Sequence, residues 1–297
     1  MAPGLAYQDA HAVNAELMRL LDSKPHAPFY AFAAYMDPHD PYFAHPYSGM
    51  GYARASHQKP DPSEAPRLRA LYDGEITFWD AQFGKLLADL KQRGLYDDMT
   101  IVVTADHGEE FMEHGGFWHG DTLYDEAIHV PLLVKLPRGQ RAGSAVAHWV
   151  ESIDIMPTLL RENGVAVPGG VQGKDLMAGS DTVFAEENFE GNILRALRMT
   201  RGQSELKLIE SNPDNARGFA PRELYRIDQD PGERVNLAPD EPEVSGLAAK
   251  RLDQRARDAR AGKAVRSSVD VAKDDNAVQK LRALGYAGGD NAKTADN

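Results

Sequence analysis

The chain has 297 residues, 42% of them apolar and 26% charged, with a formal net charge of -12 and no cysteine. Such a length buries a full core and fits one large domain or one plus an appendage; an acidic balance without a basic stripe excludes a nucleic-acid surface. The missing thiols exclude disulfides, thiolate zinc sites and a cysteine nucleophile, and no apolar run reaches the roughly 20 residues of a membrane span. The first residues also lack the basic-then-apolar pattern of a signal peptide.

Val13, Leu17, Leu20 and Leu21 recur at helical spacing, which predicts a first helix over 11–21. The run Phe29–Met36 reads as a strand and ends at Asp37-Pro38-His39-Asp40-Pro41-Tyr42. Residues 42–66 are rich in Pro, Gly, His and Ser without periodicity and read as a long surface excursion, a kind of segment that is often functional. Leu68, Leu71, Tyr72, Ile76, Trp79, Phe83, Leu86, Leu87 and Leu90 then form a helical stripe stopped by Gly94.

A second strand, Thr100–Ala105, stops at Asp106-His107-Gly108 and leads into a glycine- and histidine-rich loop to about Thr122. Val130–Leu136 reads as a third strand, and Ile153–Glu162 as a helix closed by Gly164. This alternation predicts an α/β fold, a mixed sheet flanked by helices. Past about Gly179 come short strands at 182–185, 195–200, 206–210 and 223–227, with Asn212-Pro213-Asp214-Asn215 as a connection, then a helical stretch over 247–264 and an apolar patch at Leu281–Tyr286. The expected organisation is an α/β core over 1–178, a small antiparallel C-terminal subdomain over 179–262, and a helical or flexible tail over 263–297.

Two strands thus deliver polar groups from their carboxyl ends, the edge where open α/β sheets bind ligands. Aspartate and neutral imidazole both ligate divalent cations, and Gly108 lets the neighbours Asp106 and His107 turn toward one ion. The alternative is a strand-end Asp that merely caps a loop. His107 and His114 are seven apart, which sets aside the helical HExxH zinc arrangement. His129 precedes a strand and reads as structural. Gly169–Asp175 has the wrong spacing for a phosphate loop and reads as a loop. His39, between Pro38 and Pro41, sits in a stiffened segment that can hold an imidazole against a substrate oxygen.

Taken in order, these residues resemble the sulfatase family of the alkaline-phosphatase-like superfamily. His39-Asp40-Pro41-Tyr42 is similar to its HxPY element, Tyr72–Ile76 with Asp80 and Gly84 to its following helix, and Thr104–Glu109 to its metal-bearing strand end. His114-Gly115, His119-Gly120, Leu123–Glu126, Val130-Pro131-Leu132 and Asp154–Leu160 continue the match, and Leu206–Ile209, Glu223–Asp228, Asp230–Glu233 and Asn236–Ala238 resemble its small C-terminal subdomain.

The resemblance implies a metal-dependent sulfuric ester hydrolase in which Asp106 and His107 are metal ligands and His39 and His119 contact the transferred group. The implied cofactor is a divalent ion, calcium first, with manganese or zinc as alternatives. The implied partner is a small-molecule or glycan sulfate or phosphate ester. A phosphodiesterase or phosphonate monoester hydrolase of the same superfamily, or a non-catalytic anion-binding module, are the alternatives.

The family also carries, before HxPY, paired Asp ligands and a CxPxR or SxPxR nucleophile element. Only 38 residues precede His39 and they hold no Asp-Asp pair. Ser63-Glu64-Ala65-Pro66-Arg67 approximates the nucleophile element but falls after HxPY and reads as a helix start. The expectation is therefore a piece of a longer sulfatase, or else a degenerate member of the family, very weakly active or inactive by itself, whose compartment is not read from these residues.

Overall fold

The computed structural model describes residues 8–23, 28–189, 191–215 and 217–261. These fall into two compact units, one of 8–58 with 68–87 and the other of 59–67 with 88–261. The apolar patch at 281–286 and the tail lie outside the described residues.

In the first unit, helix α1 (Ala10–Ser23) follows the spacing read from its leucines. The run 29–36 is not a strand: among the described residues nothing pairs with it, and Tyr30 and Phe32 are 80% and 83% exposed. Aromatic and apolar residues favour a strand, but only a neighbour supplies the ladder that makes one. The segment after it is more ordered than its composition suggests, since β1 (Tyr42–Ala44) pairs antiparallel with β2 (Ser48–Tyr52). Helix α2 (Ala65–Gln92) buries Leu68, Glu75, Gln82 and Leu86 on one stripe. Gly94, at φ +70, ends it by donating from its N–H to the Lys91 carbonyl. Within this unit Asn14 Nδ2 donates to Gln82 O at 2.9 Å, and Tyr35 OH donates to Asn14 Oδ1 at 2.7 Å.

In the second unit, β3 (Ile101–Thr104) pairs with a later strand, after the ribbon of β4 (Glu110–Phe111) and β5 (Phe117–Trp118) and the single turn α3 (Asp125–Ile128). Its partner β6 (Leu132–Lys135) runs antiparallel, Ile101 opposite Lys135. Helix α4 (Ile155–Glu162) follows, closed by Gly164 at φ +68. The expected short strands are present and longer: β7 (Thr182–Phe189), β8 (Asn192–Arg201), β9 (Ser204–Ser211) and β10 (Arg222–Arg226), ordered β10-β9-β8-β7, all antiparallel. Helix α5 (Pro242–Ala261) covers one face of this sheet through Ala248, Ala249 and Leu252 against Leu197, Met199, Leu206, Leu208 and Leu224.

Successive residues of a strand face opposite ways. The other face of the same strands, Leu194, Ala196, Ile209, Tyr225 and Ile227, therefore packs on Leu123 and Tyr124. The segment leading into α3 is thereby anchored on a buried sheet, each fully buried leucine contributing about 1.5–3 kcal/mol. Among the described residues no helix is long and apolar enough to cross a membrane.

Candidate functional site

Each unit carries one of the two turns that the sequence singles out. In the second unit β3 gives way to Asp106-His107-Gly108, and this turn is docked on α3 backbone to backbone: Gly108 N donates to Ala127 O at 2.7 Å, and Glu109 N to Glu126 O at 3.0 Å. A Cβ at position 108 would stand 2.0 Å from the Glu126 carbonyl oxygen, so the approach requires glycine.

His107 Nδ1 lies 2.8 Å from Gly108 O. A carbonyl oxygen only accepts, so Nδ1 carries the proton and Nε2 presents its lone pair. Burial, and after it the charge of His119, push the His107 imidazole below its ordinary range, which keeps it in the neutral, ligating form. Its Nε2 is 3.9 Å from Asp106 Oδ1, and the Asp106 side chain is 71% exposed. His119, from the far end of the β4–β5 ribbon, stacks on His107 with ring centroids 3.9 Å apart. Its Nδ1 is held by the buried Glu109 carboxylate at 3.0 Å.

Three of the four residues chosen from the sequence, Asp106, His107 and His119, thus meet at one strand end. One carboxylate and one imidazole of fixed tautomer suit a divalent ion. Among the described residues no group of three or more His, Asp or Glu side chains is arranged to hold a metal. The pair fits as two donors of a larger divalent-ion shell, one oxygen and one nitrogen.

His114 does not join them. Its Nδ1 is bonded to Glu126, its Nε2 to Glu233 O at 3.1 Å, and its ring stacks on Tyr124 at 3.5 Å. His129 is an exposed neighbour of Asp125, edge-on to Trp149. Ser63 donates from both N and Oγ to Asp61 Oδ1 at 2.9 and 2.6 Å, so it belongs to the turn that starts α2. In the Gly169–Asp175 loop, Lys174 N donates to the buried Asp154 at 2.6 Å.

The fourth residue, His39, lies in the first unit, where its Nδ1 donates to Asp40 O at 2.7 Å and Asp40 Oδ2 accepts from Arg54 N at 2.9 Å. Sequence reasoning missed the two fully buried carboxylates beneath this turn. Asp37 Oδ1 accepts from Ala10 N at 3.0 Å while Oδ2 has no hydrogen-bond partner. Glu75 Oε1 accepts from Phe43 N at 2.6 Å, and Oε2 lies 2.7 Å from His45 Nε2. Burial raises both carboxyls above their ordinary range. The signal that could have found Glu75 is an acidic residue set inside the apolar stripe of α2.

A family model described as Sulfatase matches residues 3–165. Arylsulfatase K of Bos taurus is 30% identical over 205 residues, which cover 65% of this chain and 37% of the relative. The chain therefore spans little more than a third of the curated relatives it matches. Among solved structures, the phosphonate monoester hydrolase SpPMH from Silicibacter pomeroyi is 27% identical with a TM-score of 0.55, covering 80% of this chain and 51% of its own. A candidate sulfatase from Bacteroides fragilis superposes with a TM-score of 0.67 at 18% identity over 84% of this chain and 59% of its own. These neighbours share the alkaline-phosphatase-like α/β fold expected from the sequence.

Proposed function

Because the chain belongs to the sulfatase family, we propose that it carries the metal-facing part of a sulfate ester hydrolase site. Asp106 and His107 are the metal ligands in this reading, and His39 and His119 contact the transferred sulfate group. The observation that carries it is the single turn at which a carboxylate, a neutral imidazole and a second, stacked imidazole converge. The superfamily uses a divalent metal; here we assign calcium, with manganese or zinc as substitutes. When bound, such an ion draws charge from the ester oxygens and stabilises the charge that develops on them.

The chain's own residues set up that chemistry. Gly108 O fixes the His107 tautomer, Glu109 orients His119, and α3 holds the turn rigid. The substrate class we assign is a sulfated small molecule or glycan, in keeping with a structural neighbour solved in complex with its substrate D-Glucosamine-2-N, 6-O-disulfate. Selection among such esters falls to the loops 42–66 and 108–122. A phosphonate monoester hydrolase is the second reading, favoured by the 27% identity to that enzyme of Silicibacter pomeroyi.

Hydrolysis of an aryl sulfate and an aryl phosphonate monoester, side by side at high protein concentration with and without calcium, tests the proposal. No cysteine is present to serve as a CxPxR nucleophile, so the expected result is slow, calcium-dependent sulfate release that Asp106→Asn abolishes. Preferential cleavage of the phosphonate overturns it in favour of the second reading. Anion binding without any turnover makes the chain a binding module.

A further inference from the structure

Arg217 lies in the connection between β9 and β10, beyond the residues that match the family model. Its guanidinium takes hold of the β4–β5 ribbon at several points. Nη1 and Nη2 donate to the two oxygens of Glu110 at 2.9 and 3.1 Å, a bidentate pair. Nη1 also donates to Asp121 Oδ1 at 3.0 Å, and Nη2 to His114 O at 3.0 Å. Glu110 is fully buried and further accepts from His114 N at 3.1 Å and Gly116 N at 2.8 Å. The fork lies flat against the ribbon, since a Cβ on Gly116 would come within 2.3 Å of Nη1.

Glu110 opens the ribbon, and Asp121 stands two residues past His119, so one planar group ties its first and last turns together. The ribbon needs such a tie. Met112 and Trp118 adopt φ of 71° and 77°, a left-handed conformation that bulky side chains keep only where the surroundings over-determine it. Trp118 is the immediate neighbour of His119, and its backbone sets the direction from which that imidazole leaves the ribbon.

From this geometry we infer that Arg217 is a positioning residue for His119, fixing where its ring stands against His107. The functional meaning rests on the proposed reading of His119 as a group that faces the substrate. Lysine cannot replace it, because an ammonium is a point donor whereas the bidentate grip on Glu110 needs the rigid fork. The position is specific to this connection: neighbouring Arg222 pairs with Glu210 on the sheet and does not touch the ribbon.

The test compares wild type, Arg217→Lys and Arg222→Ala by NMR of the imidazole protons, assigned with His119→Gln, and by calorimetric titration with inorganic sulfate. Stacked rings shift each other's resonances, so the signature reports the contact itself and not global stability. Arg217→Lys is expected to abolish the mutual shift of His107 and His119 and to weaken sulfate binding about tenfold, the scale of lost supporting contacts at such sites. Arg222→Ala is expected to change neither. If the lysine variant does not fold, the pair Glu110→Gln with Arg217→Gln, which removes both charges together, is measured in the same way. An unchanged mutual shift in a folded variant overturns the inference. A wild type that shows the shift but binds no sulfate instead overturns the reading of His119, and the loss of the shift in the variant still upholds the positioning role.

Discussion

His107 and His119 lie face to face, their ring centroids 3.9 Å apart and their planes inclined by 26°. One ring ends a strand and the other ends a ribbon, and each is steered by an oxygen on its own side, Gly108 O for His107 and Glu109 for His119. The contact gathers three of the residues chosen from the sequence into one place.

The turn that carries His107 is expected to tolerate no side chain at position 108. Gly108→Ala forces a Cβ onto the Glu126 carbonyl, 2.0 Å away, and breaks the docking of the turn on α3. The expected result is an overpacking loss of about 1–3 kcal/mol in urea unfolding together with disappearance of the His107–His119 ring shift.

Lys207 is almost fully buried, between Asp125 at 2.7 Å and Glu233 at 2.7 Å. Lys207→Met leaves the buried Glu233 without its cation beside an Asp125 that Arg198 still holds at 2.8 Å, which is expected to cost about 3–5 kcal/mol. Urea unfolding of the single variant measures this, and adding Glu233→Gln, which keeps an acceptor for Asp125 N, is expected to recover part of the loss.

Much of this was legible beforehand and some was not, for physical reasons. The stripe of α2, the glycine stops at 94 and 164 and the short strands past Gly179 are local patterns, and they form where they were read, the strands extending further. Asp106 and His107 stood out as polar groups that end an apolar run, whereas His119 was reached only through the family resemblance. The run 29–36 was misread because a strand depends on a neighbour that its own residues cannot specify. Arg217, Lys207 and Glu75 escaped because their roles depend on distant partners, although a lysine between Leu206 and Leu208 was a visible signal.

Through His114, stability is expected to fall as the pH rises above ~6.5. Burial opposes its charge, but the hydrogen bond and charge of Glu126 outweigh that, and the imidazole sits above its ordinary range. A raised folded value stabilises fully below the ordinary ~6.5 and is lost as pH climbs through the folded value. Urea midpoints taken upward from about pH 6 are expected to decline, and His114→Gln to flatten that slope.

Asp37 acts in the opposite sense to an ordinary paired carboxylate. Burial raises it, so the folded state holds its proton after the unfolded chain has released one, and stability is lost as pH rises above ~3.9. Asp37→Asn keeps an acceptor for Ala10 N and removes the buried charge. Its urea midpoint is expected to exceed wild type at about pH 7 and to match it below ~3.9.

In the proposed site Asp106 and His107 bind a divalent ion beside His119. The most direct measurement follows the imidazole protons during a titration with manganese, whose paramagnetism broadens nearby resonances, with calcium added back as a competitor. His107 is expected to broaden first and His119 with it, calcium to restore both, and Asp106→Asn to remove the effect. Broadening that leaves His107 untouched, or that persists unchanged in Asp106→Asn, would contradict it.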